Sequence, residues 1–180
     1  MEVPVMKSLL LVNLMVFCSL LLNKSYAVTL SQIEIGTGDV ISVEVYNEPD
    51  LTVKTKVDGA GLVKFPLIGD IKVTGKNVHV LAAEIETAYK DGYLVSPNVA
   101  VKILSFRPFY IRGAVNSSGA YPFEFDLTVE KAIAVARGLK DRASQKEWYI
   151  LRGENKSRIL ATKDTQVLPG DIIEIKESLF

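Results

Sequence analysis

A Gly-Asp pair followed by strand-like alternation occurs twice in this chain, as GDVISV from Gly38 and as GDIIEI from Gly170. Glycine can take positive φ, aspartate can bond to nearby amides, and a period of two marks a strand with one buried face. Each phrase therefore predicts a turn that launches a strand, once near the start and once at the end of the chain. Whatever lies between must bring two such strands into sheets.

The intervening residues divide into two runs. In the first, Ile41, Val43 and Val45 alternate with Ser42 and Glu44, and Asn47 to Asp50 end the strand around Pro49. Asp58-Gly59 predicts a hairpin joining 53–57 to 62–65, and Pro66 and Gly69 punctuate a bend before a strand at 71–73. A helix follows, with Asn77 as cap, Leu81, Ile85 and Ala88 on one face, and Gly92 at its end. Val99, Val101 and Ile103 then alternate as a strand. At Phe106-Arg107-Pro108 the pattern starts afresh. Two strands, FYIRGAV and AYPFEFD, flank a turn at Asn116 to Gly119; a helix runs from its Thr128 cap to Gly138; a hairpin around 154–156 and a closing strand complete the chain. The expectation is an α+β fold of two small domains, 28–106 and 107–180. At ~75 residues each, both lie near the lower limit for an independent core.

Composition enters at the N-terminus. Lys7 precedes an apolar run from Ser8 to Leu22, and Ser25-Tyr26-Ala27 places small residues at a cleavage site, so 1–27 is read as a secretory signal peptide cut after Ala27. Met6-Lys7 makes a better start than Met1. The one cysteine, Cys18, lies inside the apolar run behind Phe17, a context unlike that of a lipidated cysteine. The remainder has no cysteine and no membrane-length apolar stretch, and is expected to be an exported, non-lipidated, soluble protein.

The 180 residues balance 21 basic against 21 acidic side chains, so no basic field points to nucleic acid. One histidine, His79, and no cysteine beyond Cys18 cannot assemble the usual structural zinc sets. GTGDVI opens like a dinucleotide fingerprint, but Ile41 stands where the third glycine belongs and a strand follows instead of a helix. No catalytic residue, cofactor or metal is expected, and the chain is read as a non-enzyme.

IEIGTGDVISVEVYNEPDLTVKTKVDGAGLVKFPLIGDIKVTG closely resembles the start of the polysaccharide export domain of Wza-like proteins. The matching residues are Gly36, Gly38, Asp39, Tyr46, Pro49, Asp50, Leu51, Phe65, Pro66, Leu67, Ile68 and Gly69, with Pro97 and Val99 in the strand that ends the domain. The second half resembles the soluble-ligand-binding β-grasp (SLBB) domain that follows in that family. Its marks are Gly113, Asn116, Gly119, Ala120, Tyr121, Pro122, Arg137, Gly138, Arg152 and the closing Leu168-Pro169-Gly170-Asp171. These residues are expected to define the fold, not to touch a ligand.

The resemblance implies a periplasmic component of capsule, exopolysaccharide or biofilm-matrix secretion, associated with the outer membrane. Its implied partners are further copies of itself in a ring, an outer-membrane β-barrel or export pore, an inner-membrane polysaccharide co-polymerase or tyrosine kinase, and the polysaccharide in transit. After Asp171 only Ile172 to Phe180 follow, so a short form without the family's C-terminal amphipathic helix is expected. The other reading is a monomeric periplasmic module that holds a saccharide and regulates its synthesis.

Overall fold

A computed structural model describes residues 33–153 and 155–178, which form a mixed α+β arrangement around two hydrophobic cores. The expected signal peptide, Ala27, Cys18 and the final Phe180 lie outside the described residues.

The first core is built on β1 (Val40–Val45), which the turn at Gly38 launches. Its alternation buries Ile41, Val43 and Val45 and leaves Glu44 exposed. β1 is the central strand of three, antiparallel to β2 (Val53–Lys56) on one side and to β5 (Val99–Ser105) on the other. A single 3-10 turn, Pro49–Leu51, folds the chain back between β1 and β2. A separate two-stranded ribbon pairs β3 (Leu62–Phe65) with β4 (Gly69–Lys72). The expected hairpin across Asp58-Gly59 is therefore corrected, since 53–56 pairs with β1 and 62–65 with β4. The physical reason is local. Asp58 Oδ1 accepts from the amides of Ala60 and Gly61, 2.9 and 3.0 Å away, and this side-chain turn redirects the chain instead of reversing it in register.

α1 (Val78–Lys90) starts as expected, with Asn77 Oδ1 accepting from the amides of His79 and Val80. It buries Leu81, Ile85 and Tyr89 against the first core. Tyr89 takes the innermost place at this end of the face, while Ala88 stays half-buried. Its hydroxyl donates to Pro66 O at 3.2 Å, and burial pushes its pKa up. Each fully buried aliphatic side chain here contributes roughly 1.5–3 kcal/mol over its exposed state.

The second core lies under a five-stranded sheet in the order β7-β6-β10-β8-β9. β6 (Phe109–Gly113) and β7 (Gly119–Tyr121) form the first antiparallel pair, and β8 (Ala143–Arg152) and β9 (Ser157–Ala161) the second. The closing strand, β10 (Ile172–Glu177), inserts between them, parallel to β6 and antiparallel to β8. α2 (Val129–Val135), capped by Thr128, covers one face. Val129, Ala132 and Ile133 meet Phe109, Ile111, Ile150, Ile173 and Ile175 there. A strand returning parallel to β6 needs a long crossover, and α2 with the β8–β9 hairpin supplies it.

Candidate functional site

The two Gly-Asp turns are built alike. Asp39 is fully buried, and its Oδ2 accepts from the amide of Gly36 at 2.7 Å while its own amide donates to Gly36 O at 3.1 Å. Asp171, 2% exposed, repeats both contacts with Leu168, at 2.7 and 3.1 Å. In each case the carboxylate clamps the residue three positions earlier, and the intervening glycine, Gly38 at φ 97° or Gly170 at φ 83°, supplies the left-handed turn.

Each carboxylate also holds an arginine. Asp171 takes Arg152 as a fork, Nε to Oδ1 at 3.0 Å and Nη2 to Oδ2 at 2.7 Å, and the same Nη2 donates to Gln166 O. Asp39 takes Arg107 twice over: the backbone amide donates to Oδ1 at 2.6 Å and Nη1 to Oδ2 at 2.8 Å. Charge-assisted bonds of this kind are about twice as strong as neutral ones. They also leave no donor or acceptor of either acid orphaned.

Arg107 is where the two turns meet. A Cβ on Gly36 would overlap its guanidinium, and one on Gly170 would lie 2.7 Å from its Nε. The next residue, Pro108, accepts from the Gly170 amide at 3.2 Å, and Tyr110 donates to Asp171 O at 2.8 Å. Phe106, on the other side, makes edge-on contacts with Phe123 and Phe125 at 5.3 and 5.4 Å between ring centroids. The segment joining the two cores is thus fastened by an ionic clasp on one side and an aromatic cluster on the other. Breaking a buried pair by removing one partner costs about 3–5 kcal/mol, whereas the intact pair contributes far less net stability because both charges were desolvated to make it. The clasp fixes orientation more than it adds stability.

Other marked residues of the second half also converge on backbone. Gly113, at φ 95°, sits so close to β10 that a Cβ would collide with Ile175 O, and the following amide, Ala114 N, donates to that same oxygen at 2.9 Å. Asn116 Nδ2 donates to Arg137 O at 2.8 Å, and its amide donates to Gly138 O, tying the turn after β6 to the end of α2. Tyr121 stacks on Phe109 and donates to Ser117 O. Gly119 opens β7 and pairs with Ile111. In the first half, Gly69 lies at φ 77° with open space around it, and Pro66 receives the Tyr89 hydroxyl. Tyr46 is 73% exposed, and Pro49 and Asp50 beyond it are exposed as well.

Arg107 was legible only as a place where the pattern restarts; an arginine before proline, flanked by two Gly-Asp turns, is the signal that marks it. His79 is exposed at the start of α1. Among the described residues no group of three His, Cys, Asp or Glu side chains could hold a metal ion, and no helix is long and apolar enough to cross a membrane.

Residues 27–104 match the family model of polysaccharide biosynthesis/export proteins. The exopolysaccharide production protein ExoF of Rhizobium meliloti (strain 1021) is 33% identical over 86 residues, 47% of this chain and 20% of the relative. The EPS I polysaccharide export outer membrane protein EpsA of Ralstonia solanacearum is 26% identical over 155 residues, 72% of this chain and 38% of the relative. EpsA of Ralstonia nicotianae is 27% identical over 131 residues, 58% of this chain. The chain therefore spans well under half the length of the relatives it matches.

Proposed function

We propose, for a chain that belongs to the polysaccharide biosynthesis/export protein family through residues 27–104, a role as a periplasmic ring or adaptor that conducts exopolysaccharide toward the outer membrane. The role is transport, not catalysis. The observation that carries the reading is the likeness to EpsA, a polysaccharide export outer membrane protein, which runs through both halves of the chain. In this reading 28–106 is the export domain and 107–180 the β-grasp-like SLBB domain. The parallel pairing of the first and last strands of the second sheet supports the latter.

The chain reaches the periplasm by a signal peptide cut after Ala27 and is not lipidated. Its partners are other copies of itself, a separate outer-membrane β-barrel or export pore, an inner-membrane co-polymerase or tyrosine kinase, and the polymer in transit. A ring requires each protomer to present two complementary flanks at a fixed angle. The Arg107 clasp supports that requirement, because it holds the two halves of a protomer together through buried charges rather than a mobile linker. The residues of the two Gly-Asp turns, with Gly113, Gly119, Tyr121 and Gly138, act as fold-defining positions, and Tyr46, Pro49 and Asp50 as an exposed loop available to a neighbour.

Native mass tests the proposal. Light scattering on a sizing column, over a range of concentrations and with detergent-solubilised outer membrane, should give a discrete species of many protomers. A monomer under every condition would overturn the self-assembling ring.

A further inference from the structure

The sheet of the second half has a second face, on which Tyr110, Arg112, Arg158, Leu160 and Lys176 are exposed. Phe109, Ile111, Ile150, Ile173 and Ile175 point toward α2, so strand alternation sends the residues between them to the opposite side. There Glu174 on central β10 lies opposite Arg112 of β6 and Tyr149 of β8. Its carboxylate receives Lys176 at 3.0 Å, Arg158 at 3.6 Å and Arg112 at 3.9 Å. Arg158 lies 3.7 Å over the Tyr149 ring. Tyr110, 45% exposed, adds a second ring one step along β6.

Two features distinguish this face from an ordinary solvated sheet surface. Three cations surround one carboxylate, so they are left with a surplus of positive charge although the chain as a whole is balanced at 21 against 21. The exposed Glu147 lies in β8 where the β8–β10 register shifts, and among the described residues it forms no ion pair with the cluster. The cations are also held in place before any ligand arrives. Glu174 is only 17% exposed, and its pKa is lowered by the hydrogen bond from Lys176 and by the charges of Lys176, Arg112 and Arg158, so it stays ionised as their anchor. The three cationic side chains remain about half-exposed. Long side chains already ordered lose less entropy on binding.

We propose that this face binds carboxylate-bearing sugar residues of the exported polysaccharide, with Arg112, Arg158 and Lys176 taking the acid groups and the exposed Tyr110 ring taking a sugar face, while Tyr149 supports Arg158 from beneath. The charge selects an acidic polymer. The exposed Tyr110 ring offers its face to the C–H-rich side of a sugar ring, a contact that a compact anion cannot make. Each contact is exposed and weak, between 0.2 and 1 kcal/mol for an exposed ion pair, which lets a polymer bind reversibly and move on. This inference rests on the export reading for the identity of the polymer, but the surface itself does not.

The test is calorimetric titration of the full chain at low salt with short oligo-mannuronate, and with a neutral malto-oligosaccharide of the same length. Oligo-mannuronate should bind, the neutral sugar should not, and added salt should weaken the complex. The R112Q/R158Q double variant should lose roughly tenfold in affinity. Glu174→Gln should bind about two- to five-fold more tightly, because the amide oxygen still accepts from the cations and keeps them ordered while the competing negative charge is gone. A merely structural Glu174 would change affinity the other way or not at all. Equal binding of the neutral sugar, unchanged affinity in R112Q/R158Q, or weaker binding in Glu174→Gln would each overturn the proposal. If R112Q/R158Q fails to fold, Glu174→Gln decides alone. Loss of oligomer mass in R112Q/R158Q would instead assign the face to a second copy. Native mass is read separately, so failure here leaves the ring proposal standing, and a monomer that binds oligo-mannuronate would sink the ring and keep the surface.

Discussion

Asp39→Asn should cost about 3 kcal/mol, and its effect should fall unequally on the two halves of the chain. The native carboxylate accepts three N–H groups, from Gly36 N, Arg107 N and Arg107 Nη1, with two oxygens. An amide has one acceptor and a donor in the other place, so either orientation leaves at least one of the two backbone amides facing an N–H. An orphaned buried donor costs about 1–3 kcal/mol. Arg107 also loses its counter-charge; at 26% side-chain exposure it can recover some hydration, so this part falls short of the roughly 3–5 kcal/mol of a fully buried orphan. About 3 kcal/mol corresponds to a Tm lowered by about 6–12 °C for a chain of this size. The single tryptophan, Trp148, packs on the second core, whereas most of the helical signal comes from α1 on the first. Urea unfolding followed by both fluorescence and far-ultraviolet circular dichroism should give coincident curves for the native chain. In Asp39→Asn the helical signal should be lost at lower urea than the tryptophan signal. A double-mutant cycle with Arg107→Ala should return at least about 1 kcal/mol of coupling. If Asp39→Asn lies within about 0.5 kcal/mol of the native chain and the two probes still coincide, the clasp does not join the halves.

Gly113→Ala should lose more than about 3 kcal/mol, since its Cβ meets the Ile175 carbonyl and its φ is 95°; Gly69→Ala, with φ 77° but open space, should lose only about 1–2 kcal/mol, and comparable urea midpoints for the two would refute the packing argument. Asn77→Ala should cost about 1 kcal/mol through the lost cap of α1, read as reduced helicity and stability together. The native chain should exceed Glu174→Gln in stability at neutral pH, because the glutamate has a lowered folded pKa. That advantage is fully present above the ordinary glutamate value of about 4.3 and should disappear as pH falls below it, through the lower folded value. A difference that persists unchanged in acid would show that the ion cluster is not its source.

Local features were legible wherever a single stretch of chain determines them. The Asn77 cap, the apolar faces of α1 and α2, and the alternation of β1, β5 and β10 all follow from spacing and cap chemistry. Pairing was harder. The Asp58-Gly59 stretch carries a hairpin signature, yet β2 pairs with β1 because their apolar faces join the core beneath α1, a choice made by tertiary burial and invisible to a local turn rule. Arg107 was harder still. Nothing in its own neighbourhood demands a partner; the demand comes from Asp39, 68 residues earlier, and from Gly170, whose missing side chain makes room for it. Likewise the cations of the open sheet face come from β6, β9 and β10, and they gather only once the closing strand has inserted.

The repeated Gly-Asp phrase thus has one physical reason in both places, and the reason bears on what the proposed ring would need of its subunit. Each aspartate is buried in order to be paired, and well-packed apolar residues of the same volume are often as stabilising as such a pair, or more so. What the pair adds is direction: two oxygens and fixed N–H vectors accept one geometry, whereas an apolar contact tolerates sliding. A subunit whose halves could rock would pass its angular error to each neighbour, and the errors would sum around a closed cycle. Holding Arg107 between the turn that begins the first sheet and the turn that begins the last strand ties that angle to both sheets at once. By this argument a substitution that keeps the counter-charge of Asp39 but loses the direction of the planar fork, such as Arg107→Lys, should lower the Tm far less than Asp39→Asn and still broaden the distribution of masses in the proposed ring; a narrow distribution in that variant would show that the angle is set elsewhere.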